Sequence, residues 1–173
     1  MKNIIPLSLL FVLAAVPAQA GVSEIRLGIF SHDIGFLGHS KEGGVDANGE
    51  VLLDSPKFLI PLWAPRPHFG VSLNTQGDTS QAYGGLTWTF EPTRWFFVDF
   101  SLGGAVHNGE LDFSATYRKE LGSRVLFRES LSLGYRIDAH NSISVAFDHE
   151  SNARLAEHNE GLNNLGVRWG YRF

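Results

Sequence analysis

A histidine and a serine, His149 and Ser151, lie two positions apart at the end of a stretch in which apolar and polar residues alternate. The apolar positions before them are Ile143, Val145 and Phe147, so His149 and Ser151 continue the apolar side of the pattern. Side chains two positions apart on a β-strand share a face, with roots roughly 6–7 Å apart, a gap that these two side chains can bridge. Ester hydrolysis by serine needs a base for the hydroxyl proton and donors for the oxyanion. The spacing indicates a candidate nucleophile and base, although it also fits the polar end of a strand at a membrane surface.

The same alternation recurs along the chain and predicts eight β-strands. The second strand is the least distinct, because Asn48-Gly49 within it is also a typical turn sequence. Residues 55–67 hold four prolines and an apolar patch that ends at Trp63. This segment is expected to be a long connection, either anchored in a membrane interface by Trp63 or packed as an ordinary loop. The strands are expected at about residues 22–30, 44–53, 68–74, 81–90, 96–106, 125–137, 142–151 and 162–173.

The two faces of the predicted strands differ in a way that indicates a membrane barrel. Their apolar faces are uniformly large, whereas their polar faces mix charged residues with glycine and serine. A soluble β-sandwich keeps its charged face outside, and a soluble lipocalin-like barrel, the alternative, would need apolar residues inside to line a ligand. The predicted fold is all-β, an eight-stranded antiparallel transmembrane β-barrel of the outer-membrane type. Its interior is expected to pair the charges of Arg26, Asp99, Arg128, Arg136, Asp148, Glu150, Arg168 and Arg172.

The first 20 residues have the features of a secretory signal peptide. Lys2 precedes a mostly apolar run over residues 4–16, and Ala18-Gln19-Ala20 matches an Ala-x-Ala cleavage site. The run is shorter than the ~20 residues that a membrane-spanning helix needs. We therefore expect a signal peptide at residues 1–20 and a single barrel domain at residues 21–173.

Composition narrows the possible partners and cofactors. The net charge is −4, and −5 without Lys2, which argues against nucleic acid as a partner. The chain has no cysteine, so disulfides and cysteine-based zinc or nucleophile sites are excluded. The histidines show no metal-ligand spacing, and no glycine-rich phosphate loop is present. We expect neither a metal nor a cofactor.

Strand parity places a third polar group beside the histidine and serine. With the amino terminus in the periplasm, the seventh strand runs outward, so His149 and Ser151 face lipid at the depth of the external leaflet. If the odd-numbered residues of the eighth strand also face outward, Asn163 lies at the same end of the barrel. Its side-chain oxygen can accept a hydrogen bond from the imidazole. The active groups are thus expected to meet the acyl chains of a lipid.

In this part of the chain, His149-x-Ser151-Asn152-Ala153 is followed by Asn159-x-Gly161 and an alternating last strand. This motif resembles that of a known family, the outer-membrane lipid A 3-O-deacylases (PagL). The resemblance covers the signal peptide and the strand plan and is most specific over residues 127–173. It implies an eight-stranded barrel whose membrane-facing Ser-His-acid triad removes the acyl chain ester-linked at position 3 of lipid A. By this resemblance, Ser151 is the nucleophile and His149 the base, and Asn152 and Asn159 form or support the oxyanion hole.

Two positions depart from the family pattern. Arg154 stands where the family has a glycine whose amide is an oxyanion donor, and a bulkier residue reaches glycine's backbone conformations less readily. Asn163 stands where the family has the triad glutamate, and an amide can orient an imidazole but cannot neutralise an imidazolium. Two carboxylates are alternatives to Asn163 as third member. Glu129, on the outward face of the sixth strand opposite His149 or Ser151, ranks second, and Glu160 in the last loop ranks third.

The sequence predicts an outer-membrane serine esterase, and the resemblance implies that it acts on the lipid A of lipopolysaccharide. The alternatives are a non-catalytic structural or adhesive barrel, and a phospholipase or acyltransferase built on the same barrel. Three basic residues of the outer loops are candidates for contacts with lipid A phosphates or are simply solvated charges: Arg118, Lys119 and Arg154.

Overall fold

The computed structural model describes residues 21–112 and 117–173. The predicted signal peptide, residues 1–20, lies outside the described residues, as do residues 113–116. Eight antiparallel strands close into a barrel in sequence order, with β1 hydrogen-bonded to β8. The strands are β1 (Val22–Ser31), β2 (Val45–Leu53), β3 (Arg66–Asn74), β4 (Gln81–Phe90), β5 (Phe96–His107), β6 (Val125–Arg136), β7 (Asn141–Ser151) and β8 (Leu162–Arg172).

The alternation in the sequence accounts for these strands closely. All eight predicted strands are present, with bounds that differ from the prediction by at most two residues. The turn-like pair Asn48-Gly49 lies inside β2, where it pairs with Gly28 and Leu27 of β1. The predicted all-β, eight-stranded antiparallel barrel is confirmed.

The interior of the barrel is polar and ion-paired, as predicted, except that Arg136 and Arg172 pair outside it with Glu91, just beyond β4. Arg26 lies 2.6 Å from Glu24 and 2.6 Å from Asp99, and all three side chains are buried. Arg128 makes a similar pair with Asp148 at 2.8 Å. Pairing offsets the cost of burying these charges. The outward faces carry large exposed apolar side chains, which is the arrangement of a barrel surrounded by lipid.

The connections divide the barrel into two ends. We call the end that holds residues 32–44, 75–80, 108–112, 117–124 and 152–161 the site end, because β7 carries His149 and Ser151 there. The opposite end, the terminal end, holds residues 21 and 173. A small apolar cluster of Leu121, Leu126 and Leu162 packs under the connections of the site end.

The proline-rich connection at the terminal end forms a short 3-10 helix, Lys57–Leu62. Leu59 is buried, whereas Phe58, Ile60 and Trp63 are exposed. The indole nitrogen of Trp88, on the outer face of β4, donates a hydrogen bond to the carbonyl oxygen of Leu62 at 2.8 Å. The helix therefore rests against the outside of the barrel. Among the described residues, no helix is long and apolar enough to cross a membrane.

Candidate active site

His149 and Ser151 lie at the last positions of β7, on the face that points away from the barrel interior. Their neighbours of the same parity, Val145 and Ile143, are exposed, whereas the side chains of even parity are buried inside the barrel. Both His149 and Ser151 are half-buried. The strand thus presents an imidazole and a hydroxyl side by side on the outer surface, at the site end.

Asn163 lies directly beside His149, because β7 and β8 pair these two residues in register. The Oδ1 atom of Asn163 is 2.7 Å from Nδ1 of His149. An amide oxygen only accepts hydrogen bonds, so Nδ1 carries the hydrogen and donates it. In the neutral ring, Nε2 is then the unprotonated nitrogen, which is the tautomer that a general base needs. Among the described residues, no hydrogen bond joins the Ser151 hydroxyl to His149.

The two alternative carboxylates occupy very different places. Glu129 pairs with His149 across β6 and β7, on the flank opposite Asn163. Its Oε2 atom is buried and has no hydrogen-bond partner in the described part of the chain. Glu160 instead lies 2.8 Å from Nζ of Lys41 and accepts a hydrogen bond from the Glu120 amide at 2.8 Å. The structure therefore bonds Asn163 to the imidazole, places Glu129 opposite His149 on the neighbouring strand, and engages Glu160 in a loop ion pair.

The turn after Ser151 has an uncommon backbone. Ala153 and Arg154 have φ angles of 52° and 62°, in the left-handed region, and the Leu155 amide donates to the Asn152 carbonyl at 3.0 Å. Two left-handed central residues closed by this bond make a type I′ turn, which normally favours glycine or asparagine. Arg154 thus adopts the left-handed conformation that favours glycine. Such residues store strain and cluster at functional sites.

The hydrogen bonds of this turn indicate which backbone amides can donate to an oxyanion. The Asn152 amide is engaged, since it donates to Oδ1 of Asn159 at 2.8 Å. The Asn152 side chain is also engaged, because its Nδ2 donates to the carbonyl oxygens of Leu121 and His158 at 2.9 and 2.6 Å. Asn152 and Asn159 therefore hold the turn in place. The next amides along the chain, those of Ala153 and Arg154, are the candidate donors.

Two close contacts brace this turn and the imidazole. A methyl group on Gly161 would lie 2.8 Å from Cε1 of His149, so the absence of a side chain lets the loop pack on the ring. Gly122 has φ +70°, and a methyl group there would lie 1.9 Å from the His158 carbonyl oxygen. The connection before β6 and the connection between β7 and β8 consequently pack closely where Gly122 meets His158. Both glycines are positions where a larger residue forces a shift.

Lys119 ties three connections together from a buried position. Its Nζ atom lies 3.1 Å from the Gly161 carbonyl oxygen and 3.2 Å from Oδ1 of Asp33, and it also donates to the His39 carbonyl. The sequence singled out Lys119 only as a possible phosphate contact, because nothing in the local pattern shows that it turns inward. Of the other two candidates, Arg118 pairs with Asp78 at 2.6 Å. Arg154 is exposed.

A buried ionic cluster lies at the mouth of the site end. His32 places Nδ1 2.9 Å from Asp46 and Nε2 3.1 Å from Glu42. Burial alone would lower the pKa of His32, but these two carboxylates outweigh it and raise the pKa to about 9. Burial would likewise raise the pKa of Glu42, but the bonds from His32 and from the amides of Lys119 and Thr79 lower it to about 2. Within residues 21–112 and 117–173, no group of three or more His, Asp or Glu is placed to hold a metal ion.

The fold and the positions of these side chains together define a class of membrane protein. The molecule is an eight-stranded β-barrel of the outer-membrane type with a histidine, a serine and an asparagine grouped on its outward face. The family model of lipid A 3-O-deacylase (PagL) matches residues 59–172, which is well over half of the chain. The chain belongs to the PagL family.

Individual relatives agree with this assignment at two levels. Lipid A deacylase PagL of Bordetella bronchiseptica is 31% identical over 88 residues, which cover 50% of this chain and 44% of that protein. The match therefore spans less than half the length of the relative. The crystal structure of the outer membrane enzyme PagL superposes with a TM-score of 0.65 at 14% identity, covering 87% of this chain and all of that one. A de novo designed transmembrane β-barrel gives a TM-score of 0.55 at 8% identity, covering 88% of this chain and 98% of that one. The structural matches show the fold.

Proposed function

We propose that this protein is a serine esterase of the outer membrane that removes the ester-linked 3-O acyl chain from lipid A. The observation that carries the proposal is the 2.7 Å contact between His149 and Asn163, with Ser151 two residues along the same outward face. The contact holds the imidazole in the tautomer that can take a proton from the serine. Membership of the PagL family supplies the substrate class.

The position of the site suits a substrate that is itself part of a membrane. We place the site end on the cell exterior, which puts Ser151 near the external leaflet, where lipopolysaccharide resides. An ester bond of lipid A lies between the polar sugar and the acyl chains, at the depth where the outward face of β7 changes from apolar to polar residues. The enzyme can thus act without extracting the lipid from the bilayer.

The reaction has two halves, each with a proton transfer through His149. In the first, the Ser151 hydroxyl oxygen attacks the ester carbonyl while Nε2 of His149 takes its proton. The bond to the sugar oxygen breaks, and His149 returns the proton to that oxygen, which leaves an acyl-serine. In the second half, water attacks the acyl-serine with the same proton transfers and releases the fatty acid. The amides of Ala153 and Arg154 donate to the oxyanion of each tetrahedral intermediate.

The third member of the site is assigned in a definite order. Asn163 ranks first because it already bonds to Nδ1, and its role is to orient the ring. Glu129 ranks second because it pairs with His149 from β6 on the same outward face and can supply the negative charge that an amide lacks. Glu160 ranks third, since Lys41 and the Glu120 amide engage it.

Mass spectrometry of lipid A from cells that express the protein tests this function. The wild-type protein should remove one hydroxyacyl chain, and Ser151→Ala and His149→Ala should leave lipid A intact. Each variant must migrate as a folded barrel in unheated gels, so that loss of activity is not loss of folding. Intact lipid A with a folded wild-type barrel would refute the deacylase and leave a structural or adhesive role. Release of fatty acid from phospholipid, or its transfer to another lipid, would identify the phospholipase or acyltransferase alternative.

A further inference from the structure

Part of the connection between β1 and β2 leaves the barrel mouth and crosses the outer face of β8. The Ile34 amide donates to the Asn163 carbonyl at 2.8 Å, at the start of β8. Two residues further on, the ring of Phe36 meets the ring of Phe147 edge-on, with centroids 5.7 Å apart. Phe147 lies on the outward face of β7. Residues 34–37, which we call the flap, therefore reach from β8 to β7 on the lipid side of the barrel.

The flap covers part of the site and leaves one aromatic ring open to the surroundings. Asn163 has the outward parity of β8, yet it is 0% exposed, which agrees with the flap lying across it. Phe36 is 74% exposed although its edge rests on Phe147. Phe147 and His149 share the outward face of one strand, two residues apart. An exposed aromatic surface thus begins right beside the imidazole.

The position of the leaving group indicates which part of the substrate lies on the His149 side of Ser151. The sugar oxygen that leaves must receive its proton from Nε2 of His149, so the sugar sits on the histidine side of Ser151. The cleaved chain extends from the other side of the carbonyl, where Ser151 pairs with Phe127 of β6. In lipid A the ester at position 3 stands next to an amide-linked acyl chain at position 2 of the same sugar. That retained chain therefore descends along β7 and β8, toward the flap.

We propose that Phe36 and Phe147 bind the amide-linked acyl chain that stays on the sugar and so set the register of the ester over Ser151. This inference rests on the proposed deacylase function. Lipid tails already surround the barrel, so binding the acyl chain here gains no free energy from its removal from water. The two rings instead orient the chain and pack closely against it. The flap would make the enzyme selective for a chain that is not cut.

Synthetic glucosamine 1-phosphates in mixed micelles test the proposal. One series keeps the ester at O-3 constant and varies the amide at N-2 from acetyl to a long acyl chain; a second series varies only the ester. The wild-type rate should fall about threefold to tenfold when the amide chain is cut to acetyl. Phe36→Ala should lose most of this dependence and keep the dependence on ester length. Phe100→Ala is the matched control, because Phe100 is an exposed aromatic on β5 that also rests on a neighbouring ring, Trp88.

The outcomes separate the two levels of inference. No hydrolysis of any substrate by the folded wild-type enzyme refutes the deacylase function itself. Hydrolysis that is indifferent to the amide chain overturns the flap proposal and leaves the deacylase intact. The flap proposal is also overturned if Phe36→Ala changes only the dependence on ester length, or if Phe100→Ala has the same effect as Phe36→Ala.

Discussion

Replacing Asn163 by aspartate tests how the site stabilises the imidazolium that forms during catalysis. The wild-type amide accepts a hydrogen bond from Nδ1 at 2.7 Å but brings no charge. Aspartate has nearly the same shape and places a carboxylate at the same contact. The amide nitrogen that it replaces, Nδ2, is buried and has no hydrogen-bond partner among the described residues, so the exchange breaks no bond. The variant should therefore be the faster enzyme.

The expected gain follows from the strength of the two kinds of bond. A neutral hydrogen bond contributes about 1 kcal/mol and a charge-assisted one about 1.5–3 kcal/mol. Asn163 is fully buried, so solvent screens the new pair little. A difference of about 1.4 kcal/mol corresponds to about a tenfold rise in kcat. Asn163→Leu, which keeps the bulk and removes the acceptor, should lower kcat by about tenfold or more.

The assay is release of the 3-O hydroxyacyl chain from purified lipopolysaccharide, measured for variants that all migrate as folded barrels. Glu129→Gln belongs in the same set because Glu129 flanks His149 from β6. If Asn163→Asp is no faster than wild type while Glu129→Gln is inactive, then Glu129 already supplies the charge and Asn163 only orients the ring. If Asn163→Leu is fully active, the contact that carries the proposed function has no catalytic role.

Three further predictions concern the support of the site. Gly161→Ala would place a methyl group 2.8 Å from Cε1 of His149, so the displaced imidazole should lower kcat about tenfold. The barrel should keep its normal heat stability. An unchanged kcat would show that the ring has room to move. Arg154→Gly should raise the unfolding midpoint, because the left-handed strain that it relieves, about 1–2 kcal/mol, exceeds glycine's entropy cost of about 0.4–1 kcal/mol. Arg154→Ala should not raise the midpoint, because alanine keeps the strain. The raised pKa of His32 gives stability that is complete below pH 6.5 and lost as the pH rises through about 9. The lowered pKa of Glu42 gives stability that is complete above pH 4.5 and lost as the pH falls toward about 2. Unfolding midpoints in urea across both ranges check the two slopes, and His32→Phe should abolish the alkaline one.

The barrel could be predicted from the sequence because lipid and a polar interior impose opposite demands on alternate residues. Phe147 and Asp148, adjacent in β7, show the rule, since one faces outward and the other is buried among charges. The pairing of His149 with Asn163 followed from the same parity, once the direction of the last two strands was fixed. Parity also placed Glu129 on the outward face, and the register shows that it stands opposite His149 rather than Ser151.

The loop contacts could not be predicted in this way, because they join residues that are far apart in sequence. The loop sequences also show no periodic pattern from which such contacts could be inferred. Lys119 is a plain example, since a lysine between Arg118 and Glu120 reads as a solvated charge. In the structure it is buried and bonded to carbonyls of two other connections. The flap is a second example, because nothing near Phe36 in the sequence indicates a contact with Phe147. Such contacts depend on how the barrel brings its connections together.

The strained turn after Ser151 explains why this loop scaffold is needed. Left-handed backbone at Ala153 and Arg154 costs about 1–2 kcal/mol at each residue, so the turn does not hold this shape by its own preference. The bonds from the Asn152 side chain to Leu121 and His158 oppose that cost, and the bond to Leu121 joins the turn to the connection before β6. The candidate oxyanion amides are therefore placed by contacts made outside β7 and β8. Asn152→Ala should accordingly release the turn and lower kcat. The barrel should remain closed, because the substitution removes no hydrogen bond between strands. A variant with wild-type kcat would show that the turn needs no such support.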